Sequence, residues 1–270
     1  MLTTQTNGFR YFIELAFNGT TFHGWQIQPG ADTVQETINY AVGTLIGQPV
    51  NLVGCGRTDA GVHASHFVAH FDVENPIPDC SLLTYRLNRF INKPIRIDRI
   101  VPVNADFHAR FHAVSRTYHY LISHGKAPFM KDFSWNFSMP IDIDAMNVGC
   151  RVLTGKHDFT SFSKLHTDVK TNDCEVFEAF WSEHSGFLVF KIRSDRFLRN
   201  MVRAIVGTLI EVGKGKIKSA EIEGILLAKD RSKAGMSVPA KGLYLTKVEY
   251  PPEVFVVNAK PPFVNWFGTF

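Results

Sequence analysis

The chain has 270 residues, 45% of them hydrophobic and 20% charged, with a net charge of +4. This is the balance of an ordinary globular protein with a large core in one or two domains, and no run approaches the roughly 18 apolar residues that a membrane span needs. The mild positive charge permits an acidic partner without requiring one, so any nucleic-acid binding has to come from a local patch.

The start, Met1 to Gly8, is polar and lacks the charged and apolar regions of a signal peptide. Cys55, Cys80, Cys150 and Cys174 are far apart with no Cys-x-x-Cys, which reads as reduced thiols in a cytoplasmic protein without a membrane partner.

In chain order, Arg10 to Phe17 alternates as a strand and Asn18-Gly19 turns it. Phe22-His23-Gly24-Trp25-Gln26 is a loop with large rings. Asp32 or Thr33 caps a helix, with Glu36 spaced for a capping box from Thr33 and an apolar stripe of Val34, Ile38, Ala41, Val42 and Leu45. Val50 to Val53 and Phe67 to Val73 read as strands. Asp79 or Ser81 opens a second helix with Leu83, Leu87, Phe90 and Ile91 facing inward, and Ile95 to Val101 is a strand. The order β-α-β-β-α-β is that of the split ferredoxin-like unit shared with RNA-recognition domains.

The second half is expected to repeat that order without a residue-level repeat. Arg116 to Ser123 is a strand, and a helix covers about 143–153. Glu175–Trp181 and Phe187–Ile192 form a hairpin about Ser185-Gly186. Leu198 to Val212 is an amphipathic helix, Ala220 to Ala228 a short one, and Leu243 to Tyr250 a closing strand. The expected class is therefore α+β, with two ferredoxin-like halves over 1–105 and 106–250 and a proline- and aromatic-rich tail over 251–270. Side by side they would share one broad, mainly antiparallel sheet with helices on one face and the site in the cleft between them.

The most informative stretch is Gly54-Cys55-Gly56-Arg57-Thr58-Asp59-Ala60-Gly61. Three glycines crowd a loop between two strands and bracket a single carboxylate, Asp59, with Arg57 two residues before it. This is where a rigid scaffold would present a reactive group. The other reading is a turn in a long hairpin, with Asp59 bonding its own backbone.

Other candidates are cationic or aromatic. Arg196, Arg199 and Arg203 fall at i, i+3 and i+7 on one face of the Leu198–Val212 helix, where three cations near its start oppose the dipole and call for an anion, a buried carboxylate or a phosphate. Arg86, Arg89 and Lys93 form a second row on an exposed helix face, followed by Arg96 and Arg99 on the next strand. His63, His66 and His70 lack a carboxylate or thiol spaced to complete a metal shell, so no metal is expected. Gly155-Lys156-His157-Asp158 is a loop without the glycine pattern of a phosphate loop. Tyr118 and Tyr120 share one face of their strand, either as core or as rings that stack bases.

Gly56-Arg57-Thr58-Asp59-Ala60-Gly61-Val62-His63-Ala64 resembles the full signature of the tRNA pseudouridine synthase A family. The resemblance continues through Phe17-Asn18-Gly19-Thr20, Gly24-Trp25-Gln26, Phe107-His108-Ala109-Arg110-Phe111, Arg116-Thr117-Tyr118 and His157-Asp158-Phe159. It extends to Phe197 through Arg203 and Pro239 through Leu245, all in family order. Asn18 departs from the family's usual Asp, and Ser237-Val238 from its usual small residue and Ala.

The resemblance implies isomerisation of uridine to pseudouridine at positions 38, 39 and 40 of the tRNA anticodon stem-loop, by a homodimer without cofactor or metal. It implies Asp59 as nucleophile, Tyr118 as the ring on the target base, Arg203 as the partner of the nucleophile and Leu243 as an apolar contact there. Arg57 is placed to fill the gap left by a flipped base. Arg86, Arg89, Arg196 and Arg199 are the expected tRNA contacts. The residue types suit the chemistry: a carboxylate is ionised near neutral pH and can attack an electron-poor carbon, C1′ or C6. The alternative is a non-catalytic RNA-binding protein of two recognition-type units; a third reading, an aspartate-nucleophile hydrolase, wants a second acid or metal ligand.

Overall fold

The computed structural model describes residues 8–164 and 171–255. Ten strands and five α-helices lie among the described residues, so the fold is α+β. The chain gathers into two compact units, the first taking described residues 8–114 and 248–255, the second 115–164 and 171–247.

The first unit runs β1 (Phe9–Phe17), α1 (Val34–Ile46), β2 (Val53–Gly54), β3 (His63–Val73), α2 (Cys80–Phe90) and β4 (Ile95–Val103). β1 lies between β3 and β4 and is antiparallel to both, with Glu14 opposite Val68 on one side and Arg99 on the other. Tyr11 to Leu15 are all buried, so this strand is covered on both faces. One cover comes from the chain's own continuation: Arg10 donates to the carbonyls of Ala105 and Phe107, and His70 Nδ1 accepts from Ala109 N–H at 3.2 Å. The chain's return lies on that same face, where Tyr250 Oη donates to Ala109 O and the Phe12 ring meets Tyr250 and Phe255 edge-on, while on the other face Tyr11 Oη accepts from Ile77 N–H at 2.9 Å. The expected tail lies outside the described residues beyond Phe255; before that, Pro252–Val254 forms one 3-10 turn.

Three local expectations give way here. The strand expected over Val50–Val53 shrinks to β2, because Leu52 N–H donates to Asn39 Oδ1 and Leu52 O accepts from Gln35 Nε2. Side chains of α1 thus take the backbone groups a strand partner would have taken. The capping box from Thr33 does not form; instead Val34 and Gln35 donate their N–H groups to the carbonyls of Gly24 and Trp25. Of the two candidates for the second helix, Asp79 is the cap, accepting from Leu82 N–H at 2.9 Å. Phe90 does not face inward: it is 41% exposed, while Leu83 and Leu87 carry the buried stripe.

The second unit comprises β5 (Ser115–Ser123), β6 (Trp135–Asn136), α3 (Ile143–Leu153), β7 (Gly155–Asp158), β8 (Asp173–His184), β9 (Phe187–Ser194), α4 (Met201–Gly213), α5 (Glu221–Ala228) and β10 (Leu243–Glu249). Its strand order is β10-β5-β9-β8-β7, with β6 parallel to β5, so this sheet is mixed. The β8–β9 hairpin turns at Ser185 and Gly186 with φ of 49° and 81°, the paired positive values that a two-residue hairpin loop needs. Gly155–Asp158 is a strand antiparallel to β8 rather than a loop. α4 begins at Met201, three residues later than expected, because Asn200 takes φ 66° and its side chain donates to Ser237 Oγ. Arg196 and Arg199 therefore precede the helix, and the three-arginine helical row does not exist.

Candidate active site

Asp59 sits on the loop joining β2 to β3, half-buried, with Arg57 exposed beside it. The loop has no regular structure, yet its backbone is held at both ends and in the middle. Cys55 N–H donates to Val68 O at 2.7 Å. Thr58 O accepts from Trp25 N–H at 3.3 Å, and Gly61 N–H donates to Phe22 O at 3.2 Å. The turn itself is closed by the main-chain carbonyl of Asp59, which accepts from Val62 N–H at 3.2 Å. Gly61 takes φ 76° there.

The clamp on this loop is the segment 18–25. Gly24 has φ 90°, and a Cβ on it would lie 2.3 Å from Thr58 O. Only glycine permits that approach. The Trp25 ring stacks on Phe67 of β3 at 4.1 Å. Gly19 N–H donates to His63 Nδ1 at 3.0 Å. Asn18, the departure from the family's usual Asp, accepts from Thr20 N–H and Oγ through Oδ1, so the acceptor oxygen is kept. The same Gly24–Trp25 carbonyls cap α1, which ties the loop to a helix end. Thr58 is buried and its hydroxyl has no hydrogen-bond partner among the described residues.

The remaining candidates belong to the second unit. Tyr118 is half-buried on β5, with the Phe197 ring edge-on at 5.0 Å. Tyr120, two residues on, is fully buried, donates its hydroxyl to Pro239 O at 2.8 Å, and has its phenol pKa pushed up by that burial. Tyr120 is therefore core, while Tyr118 is only half-buried. Arg203, in the first turn of α4, donates Nε–H to Val238 O at 2.8 Å, and Val238 N–H donates back to Arg203 O at 3.2 Å. Ser237, another departure, accepts from Asn200 and Arg231. Leu243 is buried at the start of β10. Arg196 N–H donates to Asp195 Oδ1, and Arg199, exposed, accepts from Lys164 N–H through its carbonyl. Phe197 was not singled out by the sequence reading; its place between two arginines in a matched block was the available signal.

The cationic row on α2 also divides. Arg86 and Arg89 are exposed. Lys93 pairs with Asp32 at 3.0 Å, Arg96 with Asp98 at 2.8 Å and Arg99 with the buried Glu14 at 2.5 Å, so these three serve the fold. Burial raises the Glu14 carboxyl, and His66 and Arg99 outweigh it, holding the pKa below the usual range. The histidines are acceptors for main-chain N–H groups: His63 from Gly19, His66 from Val248 and His70 from Ala109. Among the described residues, no group of three or more His, Cys, Asp or Glu is placed to hold a metal ion. No described helix is long and apolar enough to cross a membrane.

Residues 150–251 match the family model described as tRNA pseudouridine synthase. Over its greater part the chain is similar to curated proteins named tRNA pseudouridine synthase A. It is 52% identical to that of Parabacteroides distasonis over 92% of this chain and 99% of the relative. To that of Porphyromonas gingivalis it is 51% identical, again over 92% and 99%. To that of Thermoanaerobacter pseudethanolicus it is 40% identical over 88% of this chain and 98% of the relative. At 40–52% identity over 98–99% of the length of these relatives, the chain belongs to the tRNA pseudouridine synthase A family.

Proposed function

We propose that this chain is a tRNA pseudouridine synthase that isomerises uridine at positions 38, 39 and 40 of the anticodon stem-loop, with Asp59 as nucleophile. The observation that supports this most is the presentation of Asp59: a half-exposed carboxylate on an irregular loop whose neighbouring backbone groups are taken up by segment 18–25 and β3. Such rigidity is wasted on a plain turn and is what attack at a fixed carbon requires.

In this reading the target uridine leaves the stack and its base lies against the Tyr118 ring. Asp59 attacks either C1′, displacing N1 and being displaced in turn when C5 of the turned uracil bonds to C1′, or C6, in which case the N1–C1′ bond breaks, the uracil turns, C5 bonds to C1′ and the Asp59–C6 bond breaks again to free the carboxylate. A proton then leaves C5, and N1 gains one. The reaction is an isomerisation, with nothing oxidised and no group added. The Tyr118 hydroxyl, directly or through a water, is the acceptor we assign to the C5 proton. Arg203 serves the ionised carboxylate, Leu243 gives an apolar wall, and Arg57 fills the vacated stack. Arg86, Arg89, Arg196 and Arg199 take phosphates. The two units are read as two ferredoxin-like halves, the working form as a homodimer in the cytoplasm.

The test is purified protein with a tRNA transcript carrying tritium at uridine C5. Forming the new bond expels that tritium, so release together with mapping of pseudouridine reads both chemistry and position. Release without any added cofactor, confined to the anticodon stem-loop, is the expected result. Tight tRNA binding with no release would leave the non-catalytic RNA-binding reading in its place.

A further inference from the structure

Helix α2 carries two stripes. Leu83 and Leu87 are buried against the first unit. The adjoining face presents Leu82, Tyr85, Arg86, Arg89 and Phe90, at i, i+3, i+4, i+7 and i+8, which is one stripe of an α-helix. Leu82, Tyr85 and Phe90 are 52%, 63% and 41% exposed, and both arginines are exposed. Tyr40 of α1, 69% exposed, extends this face, its ring centroid 6.0 Å from that of Phe90. The helix contains no Asp or Glu. Just past its C-terminus, Lys93 lies 5.7 Å over the ring of Phe22, whose carbonyl holds Gly61 of the Asp59 loop. The stripe thus runs about 12 Å, eight rises of 1.5 Å from Leu82 to Phe90, away from the support of that loop.

We propose that this stripe is an RNA-docking surface outside the catalytic loop: Tyr40, Tyr85 and Phe90 stack on unpaired bases of the tRNA, and Arg86 and Arg89 take the adjoining phosphates. The inference rests on the reading of the chain as a tRNA-acting enzyme. A solvated helix face carries mixed charges, whereas clustered exposed rings mark a contact surface. Rings interleaved with arginines, with no acid on the helix, match a polyanion that also offers π faces. A second copy of this chain is the poorer occupant. Two-fold pairing of this face would set Arg86 and Arg89 against their own counterparts with no carboxylate on the helix to separate them.

Equilibrium binding of the full-length tRNA transcript, measured across a salt series, tests this. Tyr40→Ser with Tyr85→Ser should weaken binding at least 10-fold and leave the salt slope unchanged, since stacking releases no counterions. Arg86→Ser with Arg89→Ser should lower the slope by roughly 1.5, two phosphate contacts' worth. Tyr85→Phe, which keeps the ring, should bind like wild type. Ultraviolet crosslinking to 4-thiouridine-substituted tRNA should label the peptide carrying Tyr85 and Phe90. Ring variants that bind as wild type does, whether or not they change self-association in sedimentation, overturn the proposal. Tritium release by the wild-type chain on the same transcript reads the enzyme assignment separately. If it occurs and the ring variants still bind fully, the docking surface alone has failed.

Discussion

The Asp59 loop and the Tyr118–Arg203 region hold their side chains by opposite means. Asp59 lies on irregular chain, and its position depends on main-chain hydrogen bonds to the carbonyls of Phe22 and Val68, one from Trp25 N–H, and a glycine that lets two backbones touch. Tyr118 lies within β5, paired residue by residue to β9, and Arg203 in the first turn of a helix buried along most of its length. A side chain on a strand or helix inherits its rigidity from the element. A side chain on a loop has to be given it by partners, so residues that never meet substrate become as critical as the one that does. Damage should therefore spread among neighbours in the first region and stay with the functional side chains in the second.

The largest effect expected is at the centre of the loop. Asp59→Asn should fold, bind tRNA and lose roughly 1,000-fold or more in single-turnover rate, since the shape is kept and the nucleophile removed. Turnover within tenfold of wild type would remove Asp59 from the mechanism. In the second region Tyr118→Phe should keep tRNA affinity while its rate falls about 100-fold, the scale of one acid–base group. Tyr118→Leu should also weaken capture of the base. A Tyr118→Phe enzyme as fast as wild type would assign the hydroxyl to structure alone.

Gly24→Ala breaks the comparison most directly, because it alters the main-chain support of Asp59 and leaves the carboxylate itself in place. Its new Cβ meets Thr58 O at 2.3 Å and its φ of 90° strains any side chain. We expect a loss of roughly 2–4 kcal/mol in stability and, in the fraction that folds, a rate lowered about tenfold or more by displacement of the loop. Gly56→Ala, with nothing within 4 Å of its Cβ, should alter stability by less than about 1 kcal/mol when both variants are unfolded with denaturant. Equal costs at the two glycines would show that the clamp does not matter. Arg203→Ala should lower the single-turnover rate more than the affinity, by about tenfold, while Val238 keeps its place through its remaining main-chain bond to residue 203.

The most gradual effect, spread over several pH units, separates the two units. Each contains a buried histidine held neutral. Burial, with help from Arg10, lowers His70 to about 4 in the first unit; burial, with help from Lys191, lowers His119 to about 4 in the second. Because the unfolded chain takes up protons near pH 6.5 and the folded one does not, stability is complete above that value. It should fall as pH drops from about 6.5 to about 4, by up to about 3 kcal/mol for each histidine. Asp98, raised to about 6 by burial, works in the opposite sense: its folded form favours the proton, so that contribution is present at low pH and lost as pH rises through about 6. Two histidines outweigh one carboxyl. His70→Asn, which preserves an acceptor for Ala109 N–H, should flatten the acid limb of melting temperature against pH; an unchanged limb would exclude His70 as its source.

The order of elements was legible in the sequence because it depends on local pattern: the 3.6-residue stripe of α1 and the Ser185-Gly186 hairpin turn, and along β1 the apolar run ended by Asn18-Gly19, although the alternation expected there gives way to a strand buried from Tyr11 to Leu15. The irregular loop carrying Asp59 was legible too, since glycines around a lone carboxylate announce an unusual backbone. What the sequence could not decide was which group answers which. That Thr33 leaves the cap of α1 to Gly24 and Trp25, and that Leu52 bonds Asn39 and Gln35 rather than a strand, depends on segments brought together only by folding. Helical spacing put Arg196 and Arg199 on α4, but Asn200 at φ 66° breaks the run, anchored by Ser237 from far along the chain. By the same spacing Phe90 passed for core. It is exposed because the core it would have joined is already filled from Leu83 and Leu87, and a pattern of apolar residues states which could be buried, while only the packed molecule sets which are.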